Sequence, residues 1–380
     1  MVAQLQQGES MRIQASVLAG VGATFDVREV DLAGPLEGEI LVRIAATGLC
    51  ASDVNAIDGK RTLVPFPAVV GHEAAGVVEA VGPGVVDIVV GDHVVLSIVP
   101  YCGACDFCER GIPNFCATAG SAMAAGALFD GTRRLSSRGA ALHHFLTVSS
   151  FAEYAVVPAS GAVKIDPTMP LDRAALLSCA VLTGYGAVRR TAGVEPGARV
   201  AVFGCGGIGL NSIQGARIAG ATTIVAVDVS EEKLELARLM GATHVINSRT
   251  ASAPDVIREL TGGADYVFES SGVPEVVTDA WRSVGPRGEL ILVGLFRQGT
   301  VLPIDAGPFV NEQTIRGCYF GSSDIREDIP ELVRLYLAGE LLLDELISHR
   351  IGLSDLDEAV GRLRRGEGAR SVVVFEEALA

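Results

Sequence analysis

The 380-residue chain lacks the marks of several protein classes. Charges interrupt its apolar runs well before the roughly 18 residues that a membrane-spanning helix needs, so no membrane partner is expected. The start, MVAQLQQGESMRIQ, lacks a basic stretch followed by an apolar one. No secretory leader is read there, and the expected location is the cytoplasm. Residues 1 to 10 read as a polar tail, with Met11 a second candidate start. Positive charge is scarce: 30 basic against 45 acidic residues give a net charge of −15, which repels nucleic acid and anionic lipid. Internal repeats, low-complexity tracts and coiled-coil heptads are absent. With 49% apolar and 20% charged residues the composition is globular, and the length exceeds what one core holds, so two domains are expected.

Four of the eight cysteines crowd into CGACDFCERGIPNFC, residues 102 to 116. A reducing cytosol disfavours disulfides, and the spacing of Cys102, Cys105, Cys108 and Cys116 turns several thiolates inward on one small loop, which points to a metal. Four thiolates suit a closed, tetrahedral structural zinc. The alternative is an iron–sulfur cluster, whose bacterial ferredoxin pattern starts with the same steps but places the fourth cysteine after three residues, followed by proline. Here seven residues intervene and Ala117 follows, which favours zinc.

The texture of the chain changes near residue 181. Before it come short valine-rich runs broken by Gly, Pro and Asp, such as GEILVRIAATGLC and AAGVVEAVG, the pattern of a β-rich domain. After it, ARVAVFGCGGIGLNSIQGARIAGATTIVAVDVSEEKLELARLMGATHVINS alternates apolar strands with amphipathic helices, the pattern of a parallel βαβ sheet. Strands at DYVFES and GELILVG flank a helical PEVVTDAWRSV, and the end of the chain reads as helices IPELVRLYLAGEL and LDEAVGRLRRGE before a last strand, RSVVVF.

Gly204, Gly206 and Gly209 form a GxGxxG between a strand and a helix, with Gly207 and Ile208 at the helix start. In that setting the first glycine permits a tight turn, the second lets backbone approach a pyrophosphate and the third allows close helix–strand packing. Asp228 ends the next strand, where a carboxylate binds ribose hydroxyls and repels a 2′-phosphate, so NAD is the expected cofactor. Cys205, inside the loop, reads as an inert small residue.

Over essentially its whole length the chain resembles the zinc-dependent medium-chain alcohol dehydrogenases. GHEAAGVVEAVG at 71 to 82, the four-cysteine loop, the GxGxxG unit and GARSVVVF carry the likeness, and DGTRRLSSRGAALHHFLTVSSFAEYAVV looks like the loop of the longer, liver-type members. The resemblance implies an α/β chain: a GroES-like β-rich catalytic domain, residues 1–180 and 325–380, plus a Rossmann domain with a doubly wound parallel sheet, residues 181–324. It implies two zinc ions per chain, with Cys50, His72 and Cys179 as open catalytic ligands, Asp53 orienting the histidine and Glu73 a buried acid beside the metal. By the same likeness Ser52 relays the alcohol proton, Lys233 supports the adenosine ribose, and Arg370 reaches the pyrophosphate. Ile98, Phe145, Leu146, Leu295 and Tyr319 would line the pocket for an alcohol or aldehyde. A homodimer is implied, paired at the edge strand near TIRGCYFG.

Two positions depart from the family pattern. Asn55 stands where many members end the proton relay at a histidine, and Ala51 where many place an arginine or histidine against the pyrophosphate. The expected reaction is reversible oxidation of primary or secondary alcohols. The alternatives are thiol-dependent formaldehyde oxidation, against which Gly120 stands where that branch carries an arginine, and a non-enzymatic dinucleotide-binding protein on the same fold.

Overall fold

The strand Glu39–Gly48, EILVRIAATG, is buried at every position except Arg43, so it lies in the middle of a covered sheet rather than on a half-solvated face. One edge pairs with Glu73–Val81. The other is shared by Tyr154–Pro158 and Arg370–Val374. A computed structural model describes residues 10–61 and 64–375. The polar stretch expected at 1–10 lies outside these, except Ser10, which opens the strand Ser10–Leu18.

The chain divides into two units: residues 1–179, 324–337 and 347–380 form one, and 180–323 with 338–346 the other. Residues 338–346 are a correction, because the sequence reading placed them with the first domain. Gln214 holds them in the second: its side-chain N–H donates to Leu342 O at 2.9 Å and its oxygen accepts from Leu342 N at 2.8 Å. Arg217 adds a bond to Glu340 O at 2.6 Å.

The first unit contains a seven-stranded and a six-stranded sheet, mostly antiparallel. In the second, six parallel strands run in the spatial order His244–Asn247, Thr223–Asp228, Arg199–Phe203, Ala264–Glu269, Val284–Leu292 and Thr314–Gly317. Numbered along the chain this is 3-2-1-4-5-6, the doubly wound Rossmann order, which reverses direction between the strands ending at Phe203 and Glu269. Ligands of such sheets bind beyond the carboxyl ends of the strands at that switch point. Trp281, Phe203, Val267 and Ile257 pack the core of this unit. Among the described residues no single helix is long and apolar enough to cross a membrane.

Candidate metal centres and dinucleotide site

All eight cysteines are free thiols. In the loop 102–116 the sulfurs of Cys102, Cys105, Cys108 and Cys116 lie within 4.8 Å of one another. Cys105 Sγ is 3.5 Å from Cys108 Sγ and 3.9 Å from Cys116 Sγ. Four sulfurs bonded at about 2.3 Å to one tetrahedral ion sit about 3.8 Å apart. A multi-iron cluster places several ions and sulfides among its cysteines and spreads them further, so the spacing fits a single ion. The local electrostatics fit it as well. The Thr118 hydroxyl and the Ala104 N–H pull the Cys102 thiol down to about 6, and the N–H groups of Cys108 and Ala117 lower Cys105. Burial and neighbouring thiols push Cys108 up to about 12. One divalent cation satisfies all four.

The second cluster is assembled from distant segments of the first unit. Cys50, His72, Glu73 and Cys179 are buried and present ligand atoms within 4.8 Å of one another. Cys50 caps the short helix Ala51–Ile57, and the Asp53 carboxylate turns back to accept the Cys50 N–H at 2.9 Å. The same carboxylate accepts the Gly71 N–H at 3.2 Å and meets His72 Nδ1 at 3.1 Å. With Nδ1 held there, the proton sits on that nitrogen and Nε2 is the free, basic one. Nε2 is buried and has no hydrogen-bond partner among the described residues, which leaves it open to a metal. Two thiolates and this imidazole fit zinc in an open Cys₂His set.

Charge in the pocket favours a cation. Cys179 donates a hydrogen bond to Cys50 and, with His72, holds the Cys50 thiol well below its ordinary range. Burial opposes charge on His72, yet Asp53 carries that ring well above the usual histidine value. Glu73 lies fully buried, and desolvation lifts it to about 7 against the pull of Arg370, whose Nε is 3.4 Å from Glu73 Oε2. Gly48 makes room for this acid, since a Cβ there would come 2.5 Å from Glu73 Oε2.

In the second unit the three glycines do three different things. Gly204 adopts φ +89, and a Cβ on Gly209 would collide with the Gly204 carbonyl oxygen. Gly206 faces open space with nothing within 4 Å, the cradle that a passing phosphate needs. The helix Gly207–Ile218 starts there with no side-chain cap, which leaves its first N–H groups for an anion. Asp228 closes the turn from the next strand: Oδ2 accepts Cys205 N at 2.7 Å and Oδ1 accepts Val229 N and Ser230 N. These residues fit a dinucleotide.

Ser52 and Asn55 are half-buried on the helix that begins after Cys50, and Ala51 is exposed. Phe145 is fully buried with its ring edge-on to His72, the centroids 5.7 Å apart, and Ile98 and Leu146 are buried in the same unit. Leu295 and Tyr319 belong to the second unit and are 45% and 39% exposed. Lys233 is half-buried on the helix Glu231–Met240, just after Asp228. The buried Arg370 faces Glu73 within the first unit. Sequence reading missed Glu269, a fully buried acid at the end of its strand. The signal was present: VFES ends an apolar strand in an acid, as VAVD does at Asp228.

Residues 36–167 match the model of the alcohol dehydrogenase GroES-like domain, and 207–338 that of the zinc-binding dehydrogenases. The chain is 40% identical to an NDMA-dependent alcohol dehydrogenase from Amycolatopsis methanolica, across 96% of this chain and 99% of that protein. It is 36% identical to an S-(hydroxymethyl)glutathione dehydrogenase from Paracoccus denitrificans, across 96% and 100%. The crystal structure of benzyl alcohol dehydrogenase from Acinetobacter calcoaceticus superposes with a TM-score of 0.92 at 35% identity, covering 96% of this chain and 99% of that one.

Proposed function

We propose that this chain, which belongs to the zinc-dependent medium-chain alcohol dehydrogenase family, oxidises primary or secondary alcohols to aldehydes or ketones with NAD as hydride acceptor, and runs the reverse reaction. The observation that carries this reading is the buried, unpartnered Nε2 of His72 facing two thiols, with Nδ1 held by Asp53. Zinc, when bound, supplies Lewis acidity that makes the alcohol proton easier to lose. The reading has Cys50, His72 and Cys179 hold that zinc, with a second in the four-cysteine loop, two per chain.

The chain's own residues do the rest. The Ser52 hydroxyl both donates and accepts, so it can pass the proton on without holding charge. Asn55 cannot take it as a base, because an amide does not ionise in this range; the proton leaves by water or another group. Phe145, Ile98 and Leu146 favour apolar alcohols by shape. Asp228 disfavours NADP through the charge and bulk of its carboxylate. Gly120, where the glutathione branch carries an arginine, favours plain alcohols over a thiol adduct. A cytoplasmic homodimer, paired along the exposed edge strand Thr314–Gly317, completes the reading.

The test is NADH formation with a panel of alcohols, with and without cellular thiols, with NADP in place of NAD, and with NDMA as a second acceptor. Turnover of benzylic or aliphatic alcohols with NAD, an advantage over NADP that Asp228→Ala narrows, and two zincs by elemental analysis are expected. A zinc-loaded chain that binds NADH yet turns over no alcohol with any acceptor would leave only the non-enzymatic reading.

A further inference from the structure

The buried carboxylate of Glu269 has no part in the mechanism above, yet it sits at the carboxyl end of the strand beside the switch point. Its Oε1 accepts the backbone N–H groups of Ser271 at 2.7 Å and Gly272 at 3.0 Å, together with the Ser271 hydroxyl. Its own carbonyl accepts the N–H groups of Val293 at 2.8 Å and Gly294 at 2.9 Å, just beyond the end of the adjacent strand. One residue thus bonds two strand-end loops. The loops interlock through bare glycines: a Cβ on Gly272 would come 2.6 Å from Leu295 O, and one on Gly294 would come 2.6 Å from Glu269 Oε2. Ser270, the next residue, ties the first loop to the phosphate turn, its hydroxyl donating to Gly204 O at 2.7 Å. The second oxygen, Oε2, is buried and has no hydrogen-bond partner among the described residues, an arrangement with a solvation cost that core packing alone does not require.

Strand order says what these loops serve. Asp228, at the adenosine end, terminates the strand on one side of Phe203, and Gly206 approaches the pyrophosphate beyond Phe203 itself. A dinucleotide that runs from Asp228 past Gly206 continues over the ends of the next strands, those of Glu269 and Leu292. We propose that Glu269 is a positioning residue for the nicotinamide half of the cofactor, clamping Ser270–Gly272 to Val293–Gly294 so that half meets a rigid floor. This rests on the dinucleotide reading of the second unit and assigns a residue to one half of its ligand.

ADP-ribose lacks nicotinamide, so it separates this role from general support of the fold. In the zinc-loaded chain, Glu269→Ala is expected to weaken NADH about 10-fold, or about 1.4 kcal/mol, and to leave ADP-ribose within about twofold. Glu269→Gln is expected to restore most NADH affinity, because its amide oxygen can still accept from Ser271 and Gly272. Should Glu269→Ala fail to fold, Ser271→Ala carries the test, with NADH about threefold weaker, the loss of one modest hydrogen bond, and ADP-ribose unchanged. Equal losses for both ligands, unaltered NADH binding, or a Gln variant no better than Ala overturns the proposal. A wild-type chain that binds neither ligand overturns the dinucleotide reading itself, and this inference with it.

Discussion

The two cysteine clusters of the first unit reach the same packing of ligand atoms, all within 4.8 Å, by opposite routes. The loop 102–116 gathers its four sulfurs within fifteen residues and has almost no core: Cys102, Cys105 and Cys108 are only part-buried, and Phe107 and Phe115 lie exposed. The other cluster takes Cys50, His72 and Cys179 from segments far apart in sequence, each buried in the hydrophobic interior of the unit. With zinc bound as proposed, the metal would hold the loop in the first cluster, whereas in the second the surrounding core would hold the ligands for the metal. Closed and open coordination follow, since a loop held by its ion uses every ligand, whereas a site held by its core can leave one position for chemistry.

Removing one ligand from each sharpens this contrast, and the largest effect is expected at the assembled site. Cys179→Ala should lower alcohol oxidation by at least about 10³-fold, the equivalent of about 4 kcal/mol of lost barrier reduction. One zinc of the expected two should go while the melting profile changes little. A variant that loses activity only by unfolding would break the comparison, because the core would then depend on this metal too.

Next in size is the support of His72. Asp53→Asn keeps the shape but can present its NH₂ toward Nδ1, which would leave the ring in the wrong tautomer. Zinc affinity or activity is expected to fall about 10- to 100-fold, as for other residues that orient a ligating histidine. Competition with a chelator measures the first and steady-state rates the second; wild-type values for both would show that packing against Phe145 alone orients the ring.

At the loop the prediction reverses. Cys105→Ser should release one zinc, expose 102–116 to protease and lower stability by a few kcal/mol, while the assembled site retains its zinc and activity stays within about tenfold. Loss of both metals together would show that the two clusters fold as one.

The same contrast explains what the sequence could disclose. The loop was legible because its ligands and their spacing lie in one window, and so was the phosphate turn, where Gly204, Gly206 and Gly209 fall between a strand and a helix. Cys50, His72 and Cys179 each read alone as a core residue, and only the likeness to a family joined them. The helix expected at 329–341 spans Ile325–Leu337 instead, with Pro330 inside its early turns. It ends before Gly339, whose φ of +74 turns the chain away toward Gln214. That partner lies over a hundred residues upstream and leaves no local mark.

The smallest predicted effect uses a histidine outside both clusters as a control. His144 is buried like His72, but among the described residues no carboxylate bonds its ring, although the charge of Asp130 acts on it: Nε2 accepts the Arg134 backbone N–H at 3.0 Å and Nδ1 has no hydrogen-bond partner there. Burial, with the charges of Arg134 and Arg133, pushes it down to about 3. An unfolded histidine titrates near 6.5, so below that pH the unfolded chain takes up a proton that the folded chain refuses until about pH 3. The contribution to stability is therefore full above about 6.5 and declines as the pH falls, by up to about 1.4 kcal/mol per unit. His144→Gln keeps an acceptor for the Arg134 N–H and removes the titration. It should be the less stable protein at pH 7.5, and the gap to wild type should close by about 2 kcal/mol on going to pH 5. Protonation of the metal ligands affects both proteins alike and cancels in the difference. Denaturant midpoints at the two pH values measure it; a gap that stays constant would mean that His144 takes up its proton at the same pH folded and unfolded, and a gap that widens would mean that the fold holds it charged, as Asp53 does His72.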